Sequence, residues 1–392
     1  MLCKKSGFRI QIQKYILIML VAVAISTLFN MGSYFFWIIN GIAYVLLFGE
    51  YYIIQSIRMW WCFFSYLVFG IITILLNTVY VTADLKSIGM QVNLVFTPLF
   101  LMLFNKVNHE KPFVQLDVKR LFQFLSVLGT FSAVIAIATG FSDLLAVFSG
   151  RLGAYSANAA GFFYSKNIYG AFVGLTLCAD VYLYQESKSV KRAIICAFKY
   201  FCVIISFSRA ALLQVSIAIF LFFWFSINRS KKEWMILILA VLVTVVMIYQ
   251  SPDLQRILID QVLRLDAGDA GRAQLRQNAL EVVDLGTFRS FLGIGYAGIN
   301  FFNVDIDNTY YYTFFAGGIV KIAFFMCVSI ISLISILKLK KKDRLISEIC
   351  LAVWCSYFVF AYYESVAILE IGLLNFCYMI YMFLIPMGYR NK

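Results

Sequence analysis

Four arginines have the chemistry to handle phosphate. Arg272 and Arg276 stand four residues apart in GRAQLRQNALEVV, so on a helix their guanidinium groups share one face. Arg209 lies in ISFSRAALL and Arg151 in FSGRLG, each beside an apolar run. A guanidinium presents a planar fork of donors that matches phosphate oxygens two at a time. The plainer reading is solvated helix polarity with salt bridges to Asp269 or Asp284, and it suits Arg256, Arg264 and Arg289 well. Arg209 has no acidic neighbour in sequence, so its charge calls for an anion from elsewhere. Asp307, in DIDNTYYY, could accept a proton as a carboxylate base, or could N-cap a helix starting near Thr309. The chain has one histidine, His109, which leaves almost no room for a Ser-His-Asp triad or a His-based metal site. Its nine cysteines form no CxxC pair and read as small apolar fillers. No metal and no cofactor is expected.

Three further ionisable groups, Asp180, Lys199 and Lys321, fall inside apolar runs. A charge at membrane depth is costly and normally paired. Asp180 is the first-choice partner for Lys321, ahead of Glu364 and Glu370.

The elements that must hold these groups follow from composition. Sixty-two percent of the 392 residues are apolar and 14% are charged, against roughly 45–50% and about 25% in soluble domains. The excess has to face lipid, which excludes a cytosolic enzyme, a secreted disulfide scaffold and a disordered tail. The strand alternation of a membrane β-barrel is missing. Apolar runs at 15–29, 33–48, 59–80, 88–104, 121–141, 168–184, 193–207, 210–228, 234–250, 309–337, 346–363 and 366–387 predict an all-α polytopic membrane protein with about 12 transmembrane helices. With the N-terminus in the cytoplasm, the inner segments collect most of the 33 basic residues. The outer segments keep Lys86, Arg151, Lys166, Arg209, Arg256, Arg264, Arg272, Arg276 and Arg289, as the positive-inside rule requires of the poorer side. Both termini are thus expected in the cytoplasm. The net charge of +13 reads as topology and not as nucleic-acid binding. No cleavable signal peptide is read at the basic start.

Residues 1–392 read as a single membrane domain with a smaller outer loop at 142–167 and a large one at 251–308. In the large loop Leu254, Ile257, Leu258, Val262 and Leu265 recur at helical spacing, with Arg256, Asp260 and Arg264 on another face. That predicts an amphipathic helix on the outer membrane surface. A second helix is expected from about 270 to 285, then a Gly-rich return, LGIGYAGINFFNVDID. Tyr310, Tyr311 and Tyr312 read as an interfacial aromatic belt, with sugar stacking as the alternative.

Four segments carry a resemblance. FSRAALL resembles the SRxG/A segment of bacterial Wzy-type polysaccharide polymerases and O-antigen ligases. GRAQLRQNALEVV followed by FLGIGYAGIN is similar to their large outer loop, in which an Arg-led helix precedes a GxG turn. DNTYYYTFFAGGIV is similar to the segment closing that loop, with Gly318 ten residues after Asn308. GAYSANAAGFFYSKNIYG resembles a patch in which Lys-Asn, here Lys166-Asn167, precedes a span. The motifs cover roughly 150–320.

The resemblance implies a GT-C-like glycosyltransferase in the bacterial cytoplasmic (inner) membrane, acting on the outer leaflet without a metal. Its donor would be a polyprenyl-pyrophosphate-linked oligosaccharide. An acceptor hydroxyl attacks the anomeric carbon with inversion, and lipid pyrophosphate leaves. Arg272 and Asp307 fall at the catalytic positions. Arg209, Arg151, Arg276, Lys166, Asn167 and Asn308 would bind pyrophosphate or glycan. Membrane lipid, a chain-length regulator and a flippase are the implied partners, and nucleic acid is not. The ligases open the closing segment with His-Asn. Asp307-Asn308 here fits the polymerase side better, with a ligase as the alternative. Lys321 departs from the Gly, Tyr or Thr of the motif. A secondary transporter is the alternative of another class; Asp180 and Lys321 favour it, and the lack of an inverted repeat opposes it.

Overall fold

The computed structural model describes residues 117–153, 160–225, 288–295, 308–366 and 373–388, with single positions or pairs at 17, 20–21, 24–25, 277–278, 280–281 and 299. The expected spans 33–48, 59–80, 88–104 and 234–250 and the expected helices at 253–265 and 270–285 lie outside these residues or almost wholly so. Every regular element among the described residues is helical: α1 Val118–Phe148, α2 Lys166–Ser187, α3 Val190–Ile205, α4 Arg209–Phe225, α5 Phe288–Leu292, α6 Thr309–Leu339, α7 Arg344–Tyr363 and α8, which starts at Leu373–Met379. Of these, α1, α6 and α7 are long and apolar enough to cross a membrane.

The bundle has an apolar core and an apolar outer surface as well. Helix α1 turns Val127, Phe131, Val134, Phe141 and Leu145 outward and keeps Ser126, Gly129, Ser132 and Ala133 inside. Helix α6 likewise exposes Ile319, Met326, Ile330, Ile331, Ile334 and Leu337. Large apolar side chains on the outer faces suit a lipid solvent, and small residues where helices meet allow the close backbone approach that holds helices together there.

Helix α2 is the axle. All residues from Ile168 to Leu183 are buried, and α1, α3, α4 and α7 pack around it. Small residues set the spacing. A Cβ added to Gly174 would lie 1.9 Å from Val215 Cγ2 on α4, and one on Gly129 would lie 1.9 Å from Thr176 Oγ1. Gly174→Val should therefore force α2 and α4 apart at a cost of about 1–3 kcal/mol. Gly153→Ala, whose Cβ meets nothing within 4 Å, should be neutral. Thermal unfolding of both variants in detergent is the check; equal midpoints would show that α4 yields freely. Leu17, Leu20 and Ala24, at helical spacing within the expected span 15–29, pack on the same core.

Two helices depart from regularity, each for a visible reason. Helix α8 runs through a π-helical turn, Ile380–Leu384, into Ile385–Gly388. Pro386 has no N–H to give the Met382 carbonyl, and the Ser332 hydroxyl of α6 donates to that oxygen instead, at 2.5 Å. Helix α6, expected as one unbroken span, breaks at Gly317 (φ −153°, ψ 16°) and Gly318 (φ 65°, ψ −164°). The Gly-rich return docks into this break: Ile294 N–H donates to the Phe315 carbonyl at 2.8 Å. A Cβ on Gly318 would lie 2.1 Å from the Phe291 carbonyl oxygen. Gly293 and Gly318 both have positive φ and face each other's backbones, which only glycine allows. The FLGIG and FAGG segments are thus two halves of one joint.

Candidate functional site

Four helices bring their ends together where α2, α4 and α6 begin and α7 stops. Ser165 caps α2, its hydroxyl accepting from Asn167 N–H, so Lys166 is the first helical residue. Ser208 caps α4, its hydroxyl accepting from Ala211 N–H at 3.2 Å, so Arg209 is the first residue there. Asn308 caps α6, its Oδ1 accepting from Tyr310 and Tyr311 N–H. Gly170, one turn into α2, lies against Ser206 and Ala211 at the α3–α4 turn. Asn167 Nδ2 donates to Glu364 Oε1 at 2.6 Å across to the end of α7. Asn308 Nδ2 donates to the Tyr362 carbonyl at 2.8 Å, and the Thr309 hydroxyl donates to the Glu364 carbonyl at 2.6 Å.

Electrostatically this end is cationic. A helix start carries about half a positive charge from its unpaired N–H groups. Lys166 and Arg209 each add a full charge at the worst place for helix stability, the first turn. Three helix starts and two cations at one end form an anion-attracting surface. The backbone holds Arg209 there under strain. Phe207 takes φ 53°, a left-handed conformation rare for a bulky residue. Its buried ring packs with Leu144, Val147 and Ile205, with Leu152 and Leu212 against them. Leu152 brings its exposed neighbour Arg151 to the same end.

Lys166, Asn167, Arg209, Asn308 and Arg151 are therefore at one end of the bundle. Arg272, Arg276 and Asp307 lie outside the described residues. Asn308 is buried, and its amide is engaged in the cap and the α7 corner, so it shapes the site from beneath and does not face a substrate. The cap of α6 is Asn308, one residue later than the Asp307 expected from sequence. Tyr310, expected in a belt, turns inward instead: its hydroxyl donates to the Phe358 carbonyl at 3.0 Å. Glu364, read from sequence only as a reserve partner for Lys321, is the buried carboxylate of this end among the described residues. The signal was available, since Glu364 directly follows the apolar run 346–363.

The expected Lys321–Asp180 pair does not form. Asp180 pairs with Lys199, at 2.5 Å from Nζ to Oδ2, and with Arg192 at 3.2 Å. Ser126 completes the cluster: its hydroxyl donates to Asp180 Oδ1, and its carbonyl accepts from Lys199 Nζ at 2.9 Å. Asp180 and Lys199 are fully buried. The reason is the tight α2–α3 hairpin. Asp180 stands eight residues before Lys188 and Lys199 ten residues after Ser189, each about two to three helical turns from the hairpin turn, so an antiparallel pair of helices brings them to similar depth. Lys321 is elsewhere, in the first turn beyond the α6 break, its stem folded against Gly317. Its expected depth down a continuous helix therefore does not apply.

No family model matches the chain, and no curated protein matches it either.

Proposed function

We propose that the chain is a membrane glycosyltransferase that polymerises polyprenyl-pyrophosphate-linked oligosaccharide repeat units. The observation that carries this reading is the cationic end. Lys166 and Arg209 head two of three converging helix starts, a placement that lowers helix stability and suits a multiply charged anion close to lipid. A lipid pyrophosphate is such an anion, and it gains charge as its glycosyl bond breaks, which fixed cations and N–H groups stabilise. On this reading about twelve helices span the bacterial cytoplasmic membrane, and the cationic end is on the outer side. Arg272 and Arg276 add to it from the large loop, and Arg151 lies at its edge. A ligase that moves the glycan to another acceptor uses the same donor chemistry.

The test is turnover of a polyprenyl-pyrophosphate-linked oligosaccharide by purified protein in liposomes. Lengthened glycan is the expected result, and glycan moved to another lipid would make the chain a ligase. Uptake with no change in the glycan would make it a carrier and overturn the reading. Within the active system, Arg272→Ala should cost roughly 10²–10³ in rate at normal abundance, as loss of one transition-state contact does.

A further inference from the structure

We propose that Glu364 is the base that takes the proton from the acceptor hydroxyl, an inference that rests on the glycosyl-transfer reading above. Three buried carboxylates stand out among the described residues: Asp180, Glu348 and Glu364. Asp180, late in α2, pairs with Lys199 and Arg192, and Glu348, near the start of α7, pairs with Arg344 at 2.6 Å, both far along their helices from the converging ends. Glu364 alone of the three is at the cationic end, where the leaving group would sit. Lys166 and Arg209 supply positive charge to the departing pyrophosphate. Glu364 supplies what they cannot, an acceptor for a proton.

Its position is fixed from several sides. Helix α7 ends at Glu364, whose backbone is extended (φ −137°, ψ 146°). Its carbonyl accepts from the Thr309 hydroxyl, and Thr309 Oγ1 in turn accepts from Val366 N–H at 2.8 Å. The Tyr362 carbonyl accepts from Asn308. The corner is thus stitched to the start of α6. The residue is 9% exposed, and its carboxylate accepts from the Asn167 amide at 2.6 Å. A carboxylate oxygen has two lone pairs, so an oxygen that accepts from the Asn167 amide can still accept a proton.

The step balances as follows. The acceptor hydroxyl oxygen bonds to the anomeric carbon while its proton passes to a Glu364 carboxylate oxygen. The bond from the anomeric carbon to the pyrophosphate oxygen breaks, and its electron pair leaves with the lipid pyrophosphate. Glu364, now a carboxylic acid, returns the proton to water. Asn167 is a positioning residue, since it acts through Glu364.

The experiment uses the full chain in liposomes with polyprenyl-pyrophosphate-linked oligosaccharide, comparing Glu364→Gln, Glu364→Asp, Asn167→Ala and Asp307→Asn. Glutamine keeps an oxygen for the Asn167 amide, so the corner should fold. Its kcat should fall by about 10²–10⁴, as loss of a general base does, with KM for the donor little changed. Aspartate, charged but one methylene shorter, should recover part of the rate, and Asn167→Ala should lose less than Glu364→Gln. A wild type that leaves the glycan unchanged overturns the reaction itself. An active wild type with fully active Glu364→Gln, or with a loss confined to KM, overturns Glu364 alone, as does Asp307→Asn reproducing the whole loss beside an active Glu364→Gln. If the glutamine variant fails to accumulate, Glu364→Asp decides, and an unchanged rate there overturns the assignment.

Discussion

Asp180→Asn is expected to deplete folded protein more than any other single change in the bundle. It strands the Lys199 ammonium, fully buried and left with the Ser126 carbonyl and a neutral amide. Breaking a buried pair by removing one partner typically costs about 3–5 kcal/mol, because the remaining charge is uncompensated. The order of the other variants follows from the same geometry. Lys199→Met should cost less, since Arg192 and the Ser126 hydroxyl still serve Asp180 Oδ1. Arg192→Ala should cost least, because the arginine side chain keeps 26% of its surface exposed and water can replace part of its contact. The double variant Asp180→Asn/Lys199→Met should recover much of the loss, having no buried charge left. Melting midpoints in detergent, with membrane abundance, give the ranking. A double variant no better than Asp180→Asn would show that the two side chains act separately.

Arg209→Ala should do the reverse, leaving the fold intact and removing turnover. The side chain is half-buried at the first position of α4, so its removal opens no core cavity. A cation there works against the helix dipole by roughly 0.3–1 kcal/mol, so the arginine adds no stability through the dipole. If it faces the leaving pyrophosphate, its loss should cost about 2.7–4 kcal/mol in the transition state, or roughly 10²–10³ in rate. Lysine at 209 should rescue in part, supplying charge without the bidentate fork. Rates from the liposome assay, set against melting midpoints, separate the two effects. An unfolded Arg209→Ala would make the residue structural; a folded and fully active one would remove it from the site.

The sequence by itself determined the lipid-facing composition and the positions of most described helices. The expected runs 121–141, 168–184, 193–207 and 309–337 lie within or close to α1, α2, α3 and α6, because a helix that meets lipid must be apolar over its own length. Hydropathy is a local quantity, and it was read correctly from local residues. The apolar runs also put Arg209 at a hairpin between two spans and Lys166 and Asn167 just before one, and Ser165 and Ser208 cap the helices that start there. Which charges meet is not local. Lys321 was matched to Asp180 by depth along separate spans, whereas the α2–α3 hairpin had already set Lys199 level with Asp180. The break in α6 depended on the backbone of residues 291–293 reaching Gly317 and Gly318, so the same Gly-Gly pair that reads as helix spacing becomes a joint only when its partner is in place. Glu364 joined Asn167 for the same reason, across 197 positions of chain. Only the tertiary structure could decide these pairings, since a buried polar group takes its partner from whichever helix packing brings within hydrogen-bond reach, and sequence distance carries little of that information.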